Sequence, residues 1–269
     1  MRFVTFPAGE TPAGAGERRL LAAETFVVVA LGVGLSAARS VLVFAAALLS
    51  PGGLRGQQAT LNGSLAPGHP WVDLGLQLAS LARLVLPVGV VVVLVALRGE
   101  PLRAIGLRTD RWRRDVAIGV GAAALIGGIG LSAYLLSYAA GGSVAVVPTT
   151  LPSVWWRVPV LVLAAAANAA LEEVVLVGYL VRRGAQLGWS PARAVATSAA
   201  IRGCYHLYQG FAGLGGNLVM GGFFARYFQR TGRIVPQLVA HTVIDVGAFL
   251  GYLLVAGHVS WLPLPGGRG

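Results

Sequence analysis

The sequence predicts an all-α, polytopic membrane protein, built as a bundle of about seven transmembrane helices. Hydrophobic residues make up 56% of the 269 residues and charged residues only 12%, with a mean hydropathy of +0.73. A soluble domain is about 25% charged, so the composition excludes an ordinary soluble protein. Several apolar stretches also approach the ~20 residues that a helix needs to cross a bilayer.

Seven apolar stretches are predicted to be spanning helices. They cover residues 25–49, 76–97, 116–139, 158–181, 194–211, 213–225 and 234–255, and the sixth is short and rich in glycine. Residues 1–24 precede them and are expected to be a cytoplasmic N-terminal segment. Its polar part, 1–19, contains no long apolar core, so we expect no cleavable signal peptide there. Residues 258–269 are expected to form a C-terminal tail.

All 21 basic residues are arginine, and their distribution predicts the topology. Fifteen lie before the first span or in the second, fourth and sixth connections, against three in the other connections and the C-terminal tail. An excess of this kind is typical of cytoplasmic loops. We therefore expect a multi-pass protein of the cell membrane, with a cytoplasmic N-terminus and an external C-terminus. Because topology explains the basic charge, no nucleic-acid partner is expected.

The second connection, 98–115, holds six of these arginines between apolar residues such as Leu102, Ile105 and Trp112. This pattern is compatible with an eighth, amphipathic helix that lies along the cytoplasmic interface. We divide the chain into N-terminal spanning helices over 25–140, which include the basic loop 98–115, and a second membrane domain over 156–257.

The second domain has ionisable residues inside its apolar spans, where a charge costs roughly 2.5–3.5 kcal/mol on insertion scales. The fourth span contains Asn168 and the adjacent acids Glu172 and Glu173. Successive residues of an α-helix point in different directions. We therefore expect one glutamate to face a central cavity, with Asn168 on the same face, and the other to face a neighbouring helix.

The fifth and seventh spans each contain a pair of polar residues spaced by four. Arg202 and His206 are predicted to share one face of the fifth helix, and His241 and Asp245 one face of the seventh. After Asp115 the sequence contains just three acids, which are the two glutamates of the fourth span and Asp245. Three helices thus present acids or histidines to the bundle interior, which predicts one intramembrane site.

These residue types support more than one chemistry. A buried glutamate can take a proton from water, and histidines can donate protons or stabilise charge, as amide hydrolysis without a covalent intermediate requires. Glu172, His206 and His241 are also a competent ligand set for a divalent metal such as zinc, although no HExxH motif is present. Proton or cation transporters use buried acids and histidines too, but no inverted repeat is evident.

The order of the motifs resembles the CPBP family of intramembrane proteases, also called the CAAX protease or Abi family, which includes the type II CAAX prenyl endopeptidase and bacteriocin-immunity proteins. The resemblance covers about a third of the chain. The family's first motif is similar to Glu-Glu-xxx-Arg-Gly; here Glu172, Glu173 and Gly178 match, while Val177 replaces the arginine.

The other two motifs lie in the fifth and seventh spans. In the second motif, Phe-xxx-His, His206 matches and Arg202 replaces the phenylalanine. The third, His-xxx-Asn/Asp, is matched by His241 and Asp245. The resemblance implies an endopeptidase in the lipid bilayer that acts on a membrane protein or on a lipidated or apolar peptide.

The resemblance also implies roles for these residues. Glu172, next to Glu173, would activate the attacking water, with His206 as proton carrier. His241 and Asp245 would stabilise the oxyanion or complete a metal site.

The two departures from the motifs point to a compensating exchange. In the family the motif arginine pairs with the second glutamate, so we expect Arg202 to neutralise Glu173 here, because an unpaired buried charge is costly. Arg202→Phe should then destabilise the protein, and Val177→Arg should rescue it.

The alternative to an active protease is a catalytically inactive immunity or scaffold protein with the same fold.

Overall fold

The computed structural model describes residues 14–259 and Leu262, and within them the chain forms seven continuous helices. They are α1 (Ala15–Leu49), α2 (Pro70–Leu97), α3 (Trp112–Ala139), α4 (Arg157–Gln186), α5 (Pro191–His206), α6 (Phe211–Thr231) and α7 (Val235–Val255). Each corresponds to one predicted span, so the predicted helical bundle is confirmed. Five of the seven, α1 to α4 and α7, are long and apolar enough to cross a membrane.

Some helices are longer than the predicted spans. α1 begins at Ala15 instead of residue 25, and α2 begins at Pro70 instead of residue 76. Proline is favoured at the first position of a helix, where its missing N–H is not needed. Of the segments predicted as N-terminal segment and C-terminal tail, residues 1–13, 260, 261 and 263–269 lie outside the described residues.

α4 runs through the centre of the bundle. In its most apolar stretch 67% of the residues are buried, whereas the other four long apolar helices bury 11–22% of theirs. Its buried side chains form the main hydrophobic core together with residues of all six other helices. The adjacent glutamates of α4 therefore face protein on all sides.

Two helices contain a π-helical stretch, which lies at Ala30–Gly34 in α1 and at Glu173–Tyr179 in α4. The wider i→i+5 pattern changes the partners of the backbone carbonyls. In α4 the carbonyl of Leu176 accepts a hydrogen bond from Ser198 Oγ of α5, at 2.8 Å. Such stretches are frequent at functional sites, and this one begins at the second glutamate.

The eighth, interfacial helix proposed for residues 98–115 is wrong. The connection contains only a short 3-10 turn, Leu102–Ile105, before α3 begins at Trp112. Ile105 is fully buried, and Gly106 follows it with φ of 86°, a backbone conformation that favours glycine and ends the turn. The side chain of Ile105 therefore packs against the bundle and does not face lipid.

The first and third connections meet at one end of the bundle. Their strands β1 (Gln58–Asn62) and β2 (Ala145–Thr149) form a two-stranded parallel sheet. The same end holds the turn between α5 and α6, where the N–H of Phe211 donates to the carbonyl of Gly142 at 2.9 Å. Both connections are predicted to be external, so their pairing agrees with the predicted alternation of loops.

Candidate active site

The residues to which the sequence pointed lie together between α4, α5 and α7, in what we call the central cluster. Its members are Asn168, Glu172, Glu173, Arg202, His206, His241 and Asp245. Both glutamates are 0% exposed. The cluster is therefore buried inside the helical bundle.

Arg202 lies between the two glutamates. Its Nη1 donates to Glu173 Oε1 at 2.7 Å, and its Nε lies 3.1 Å from Glu172 Oε2. The ion pair with Glu173 that the two motif departures predict is present in the structure. The expected division of the two acids between different neighbours is only partial, because the π-helical stretch that begins at Glu173 lets both approach one guanidinium group.

α6 provides the space that Arg202 occupies. A Cβ on Gly221 would lie only 2.9 Å from Arg202 Cδ, so a larger residue would displace the arginine. The guanidinium carbon lies 5.4 Å from the centroid of the Phe224 ring, a cation–π contact. Sequence analysis did not assign either residue, since their part in the site depends on how α6 packs against α5.

His206 is held in one orientation by the backbone of its own helix. Its Nδ1 lies 3.1 Å from the carbonyl oxygen of Arg202. Because a carbonyl only accepts hydrogen bonds, Nδ1 carries the hydrogen, and Nε2 of the neutral imidazole keeps its lone pair. Nε2 lies 3.7 Å from Glu172 Oε1. This separation is too long for a direct hydrogen bond, so both atoms can accept hydrogen bonds from a bound molecule.

His241 joins the glutamates to the far side of the cluster. Its Nδ1 lies 2.9 Å from both Glu173 Oε1 and Arg202 Nη2, so it donates to the first or accepts from the second according to its tautomer. Its Nε2 lies 3.6 Å from Asp245 Oδ2. Asn168 Nδ2 donates to the same oxygen at 3.2 Å. His241 and Asp245 therefore lie on one face of α7, as expected, and Asn168 of α4 contacts this face through Asp245.

The carboxylate of Glu172 is the least satisfied acid of the cluster. Within the described residues neither of its oxygens takes part in a hydrogen bond, and Glu173 has one oxygen without such a partner. A buried carboxylate without hydrogen-bond donors is costly. The charge of Arg202 holds Glu172 in place, and its oxygens remain able to accept hydrogen bonds from a bound molecule.

Sequence analysis also missed polar residues at the edge of the cluster. Tyr205 Oη donates to Asn168 Oδ1 at 3.5 Å, and its ring packs edge-on against His206, with the centroids 4.6 Å apart. Arg39 and Arg83 lie inside α1 and α2 and were not assigned either. The signal for these two was available, because a charge inside a span is itself a sign of function.

The predicted metal ligands, Glu172, His206 and His241, do not form a metal site as they are arranged. In the described part of the chain, no group of three or more His, Cys, Asp or Glu side chains is placed to hold a metal ion. His241 Nε2 faces Asp245, and Arg202 places a positive charge against the glutamates that would repel a cation.

The fold and the central cluster define a class of protein, a helical membrane protein with a buried site of acids, histidines and an arginine. Residues 153–247 match the family of type II CAAX prenyl endopeptidase Rce1-like proteins. This segment contains the whole central cluster and confirms the resemblance to the CAAX protease family. No curated protein and no solved structure matches the chain. The family indicates a membrane-embedded protease.

Proposed function

We propose that the protein is an intramembrane endopeptidase that hydrolyses a peptide bond with water activated by Glu172 and His206. The supporting observation is the pair of acceptors, Glu172 Oε1 and His206 Nε2, which lie 3.7 Å apart. A water molecule that donates one hydrogen to each acceptor keeps a lone pair for attack on a carbonyl carbon. Glu172 takes one proton from the water as its oxygen attacks the carbonyl carbon, and passes this proton to Nε2 of His206. His206 delivers it to the amide nitrogen as the C–N bond breaks, which releases the amine.

Arg202 acts as a positioning residue that keeps Glu172 ionised. Two adjacent carboxylates without a cation repel each other, so that one of them takes up a proton and loses its ability to act as a base. Arg202 contacts both Glu172 and Glu173 and offsets this repulsion. In this proposal it takes the place of the arginine that Val177 replaces in the first motif.

His241, Asp245 and Asn168 form the side of the site that stabilises the tetrahedral intermediate. When Arg202 Nη2 donates to His241 Nδ1, the imidazole hydrogen lies on Nε2 and is available to the developing oxyanion. Asp245 accepts from Asn168 and faces Nε2, so it orients both groups.

The substrate in this proposal is a segment of a membrane protein or a lipidated or apolar peptide. Two of the three helices that form the cluster, α4 and α7, are long and apolar enough to cross a bilayer, where such a segment is more stable than in water. We further propose the cell membrane as the location, with the N-terminus in the cytoplasm, on the arginine distribution.

Cleavage of a library of apolar peptides by the purified protein in detergent tests this function. Wild type, Glu172→Ala and the control Glu17→Ala, which changes an exposed acid at the start of α1, are compared by mass spectrometry of the products and by thermal unfolding. Loss of cleavage in Glu172→Ala alone, with unchanged unfolding, supports the protease. No cleavage by wild type, with or without added divalent cations, favours a non-catalytic immunity or scaffold protein or a transporter.

A further inference from the structure

Two arginines lie inside apolar helices but outside the central cluster, Arg39 in α1 and Arg83 in α2. Both residues are exposed, and neither makes a hydrogen bond or ion pair with any residue that the structure describes. A charge near the middle of a spanning helix costs roughly 2.5–3.5 kcal/mol on insertion scales, so such residues normally face a cavity or a partner. The partner of these two arginines is therefore expected to come from outside the chain.

Lipid headgroups are too far away to serve Arg83. The rings of Trp71 and Trp155, at the starts of α2 and α4, contact each other with centroids 6.3 Å apart, and tryptophan is typical of the membrane interface. Arg83 lies about 18 Å further along the helix axis than Trp71. That distance exceeds the length of an arginine side chain, so the anion that pairs with Arg83 has to enter the membrane.

α1 and α2 meet at one level of the bundle and separate from there towards the end that carries the β-sheet. A Cβ on Gly32 would lie 3.5 Å from Pro87 Cβ and 3.6 Å from the Val175 side chain, so the two helices meet there against α4. Towards the end that carries the β-sheet, α1 packs on α5 while α2 packs on α4. Arg39 lies about two turns beyond Gly32, and Arg83 about one turn beyond Pro87. We call the space between α1 and α2 beyond this level the groove; Arg39 lies on one of the two helices that border it and Arg83 on the other.

The groove leads to the central cluster. Arg83 acts electrostatically on Tyr205 and Arg39 on Tyr208, so each arginine lies near one of these tyrosines. Tyr205 packs against the ring of His206, and Tyr208 follows in the turn at the end of α5. A peptide bound in the groove would therefore lie near both arginines and near the end of α5 that carries His206.

We propose that the groove between α1 and α2 admits the substrate, and that Arg39 and Arg83 bind a carboxylate which the substrate carries. Guanidinium groups bind carboxylates through strong, two-pronged hydrogen bonds. The carboxylate is the free C-terminus of the peptide or an acidic side chain near the cleaved bond. This inference rests on the proposed function, because it assigns the recognition of a substrate for the same site.

Binding, measured separately from cleavage, tests the carboxylate site. The Glu172→Gln variant in detergent is titrated with the fluorescent peptide Ala-Leu-Val-Leu-Leu as the free acid and as the C-terminal amide, and with amides that carry Glu or Gln at the third position. We expect one of the two carboxylate forms to bind about tenfold more tightly than its neutral counterpart. The form that does so identifies the source of the carboxylate.

The arginines are tested in the same assay. Arg39→Gln and Arg83→Gln, singly and together, should reduce the preference for the carboxylate form, whereas Arg103→Gln, which changes an exposed arginine of the 98–115 connection, should retain it. Equal binding of acidic and neutral peptides, or a preference that survives the double variant, would overturn the inference.

The two proposals can fail independently. Cleavage by wild type with no arginine-dependent preference for a carboxylate would leave the proposed function in place and refute the proposed recognition of the substrate in the groove. An arginine-dependent preference in a protein that cleaves no peptide would support the carboxylate site and refute the proposed function.

Discussion

α4 contributes to two clusters of acids and arginines, one fully buried and one partly exposed, that differ in how their carboxylates are satisfied. In the central cluster, Glu172 makes no hydrogen bond through either oxygen within the described residues and relies on the charge of Arg202. Near the end of the same helix, Arg182 and Arg183 hold Glu100 through hydrogen bonds to both of its oxygens. We call the second group the terminal cluster; it comprises Glu24, Arg98, Glu100, Tyr179, Arg182 and Arg183.

The terminal cluster shows what a structural ion-pair network looks like in this protein. Glu24 accepts from Tyr179 Oη at 2.6 Å through one oxygen and from Arg98 Nη2 at 2.6 Å through the other. These bonds connect α1, the end of α2 and α4. This chain thus gives its acids hydrogen-bond donors on both oxygens where they hold helices together. The unsaturated carboxylate of Glu172 is therefore better suited to bind water and take up a proton than to support the fold.

The largest loss of stability is expected when the central cluster loses its cation. Arg202→Phe leaves two adjacent buried carboxylates without an opposite charge, which should cost about 3–5 kcal/mol. Val177→Arg, which restores the family's arginine, should recover part of that loss in the double variant. Thermal unfolding in detergent measures both effects.

The control for this prediction is Arg39→Phe, which removes an intramembrane arginine that has no ion pair among the described residues. We expect it not to lower the Tm. A double variant no more stable than Arg202→Phe alone would refute the compensating exchange.

A smaller loss is expected at Gly178, which lies between the two clusters on α4. A Cβ at this position would lie 2.5 Å from the carbonyl oxygen of Ile105, so Gly178→Ala should force the 3-10 turn away from α4 and cost about 1–3 kcal/mol. Gly121→Ala is the matched control, because a Cβ there meets nothing within 4 Å. Equal Tm values for the two variants would show that this close approach is unimportant.

The smallest of these effects concerns Glu100 in the terminal cluster. Glu100→Gln weakens its charged hydrogen bonds to Arg182 and Arg183 and should cost about 1.5 kcal/mol near neutral pH. Chemical or thermal unfolding at pH 7 measures this difference. An unchanged Tm would mean that saturation of the carboxylate does not contribute to stability.

The same substitution should change the pH dependence of stability. Burial raises the pKa of Glu100, but the hydrogen bond and charge of Arg183, assisted by Arg182, outweigh it and hold the pKa below its ordinary value of 4.5. A group of this kind contributes stability above its unfolded pKa and loses it as the pH falls through its folded pKa. Below pH 4.5 the Tm of wild type should therefore fall more steeply than that of Glu100→Gln. Equal changes of Tm with pH in the two proteins would contradict the assignment of this pH dependence to Glu100.

The sequence allowed prediction of those features that are local along the chain. The spans follow from the length of each apolar stretch, and the members of the central cluster follow from charges inside spans at a spacing of four. The pairing of 58–62 with 145–149 and the fit of Gly221 against Arg202 could not be predicted in this way, because they depend on contacts between distant segments. The burial of Ile105 was missed for the same reason.

The most direct measurement compares the same substitution in both clusters, Glu172→Gln and Glu100→Gln, for peptide cleavage and for thermal unfolding. Glu172→Gln should lower kcat at least about a hundredfold, as expected for loss of a general base, with a Tm close to that of wild type. Glu100→Gln should lower the Tm and leave kcat within a few-fold at a temperature where the variant is folded. Undiminished cleavage by a folded Glu172→Gln variant would contradict the assignment of Glu172 as the base.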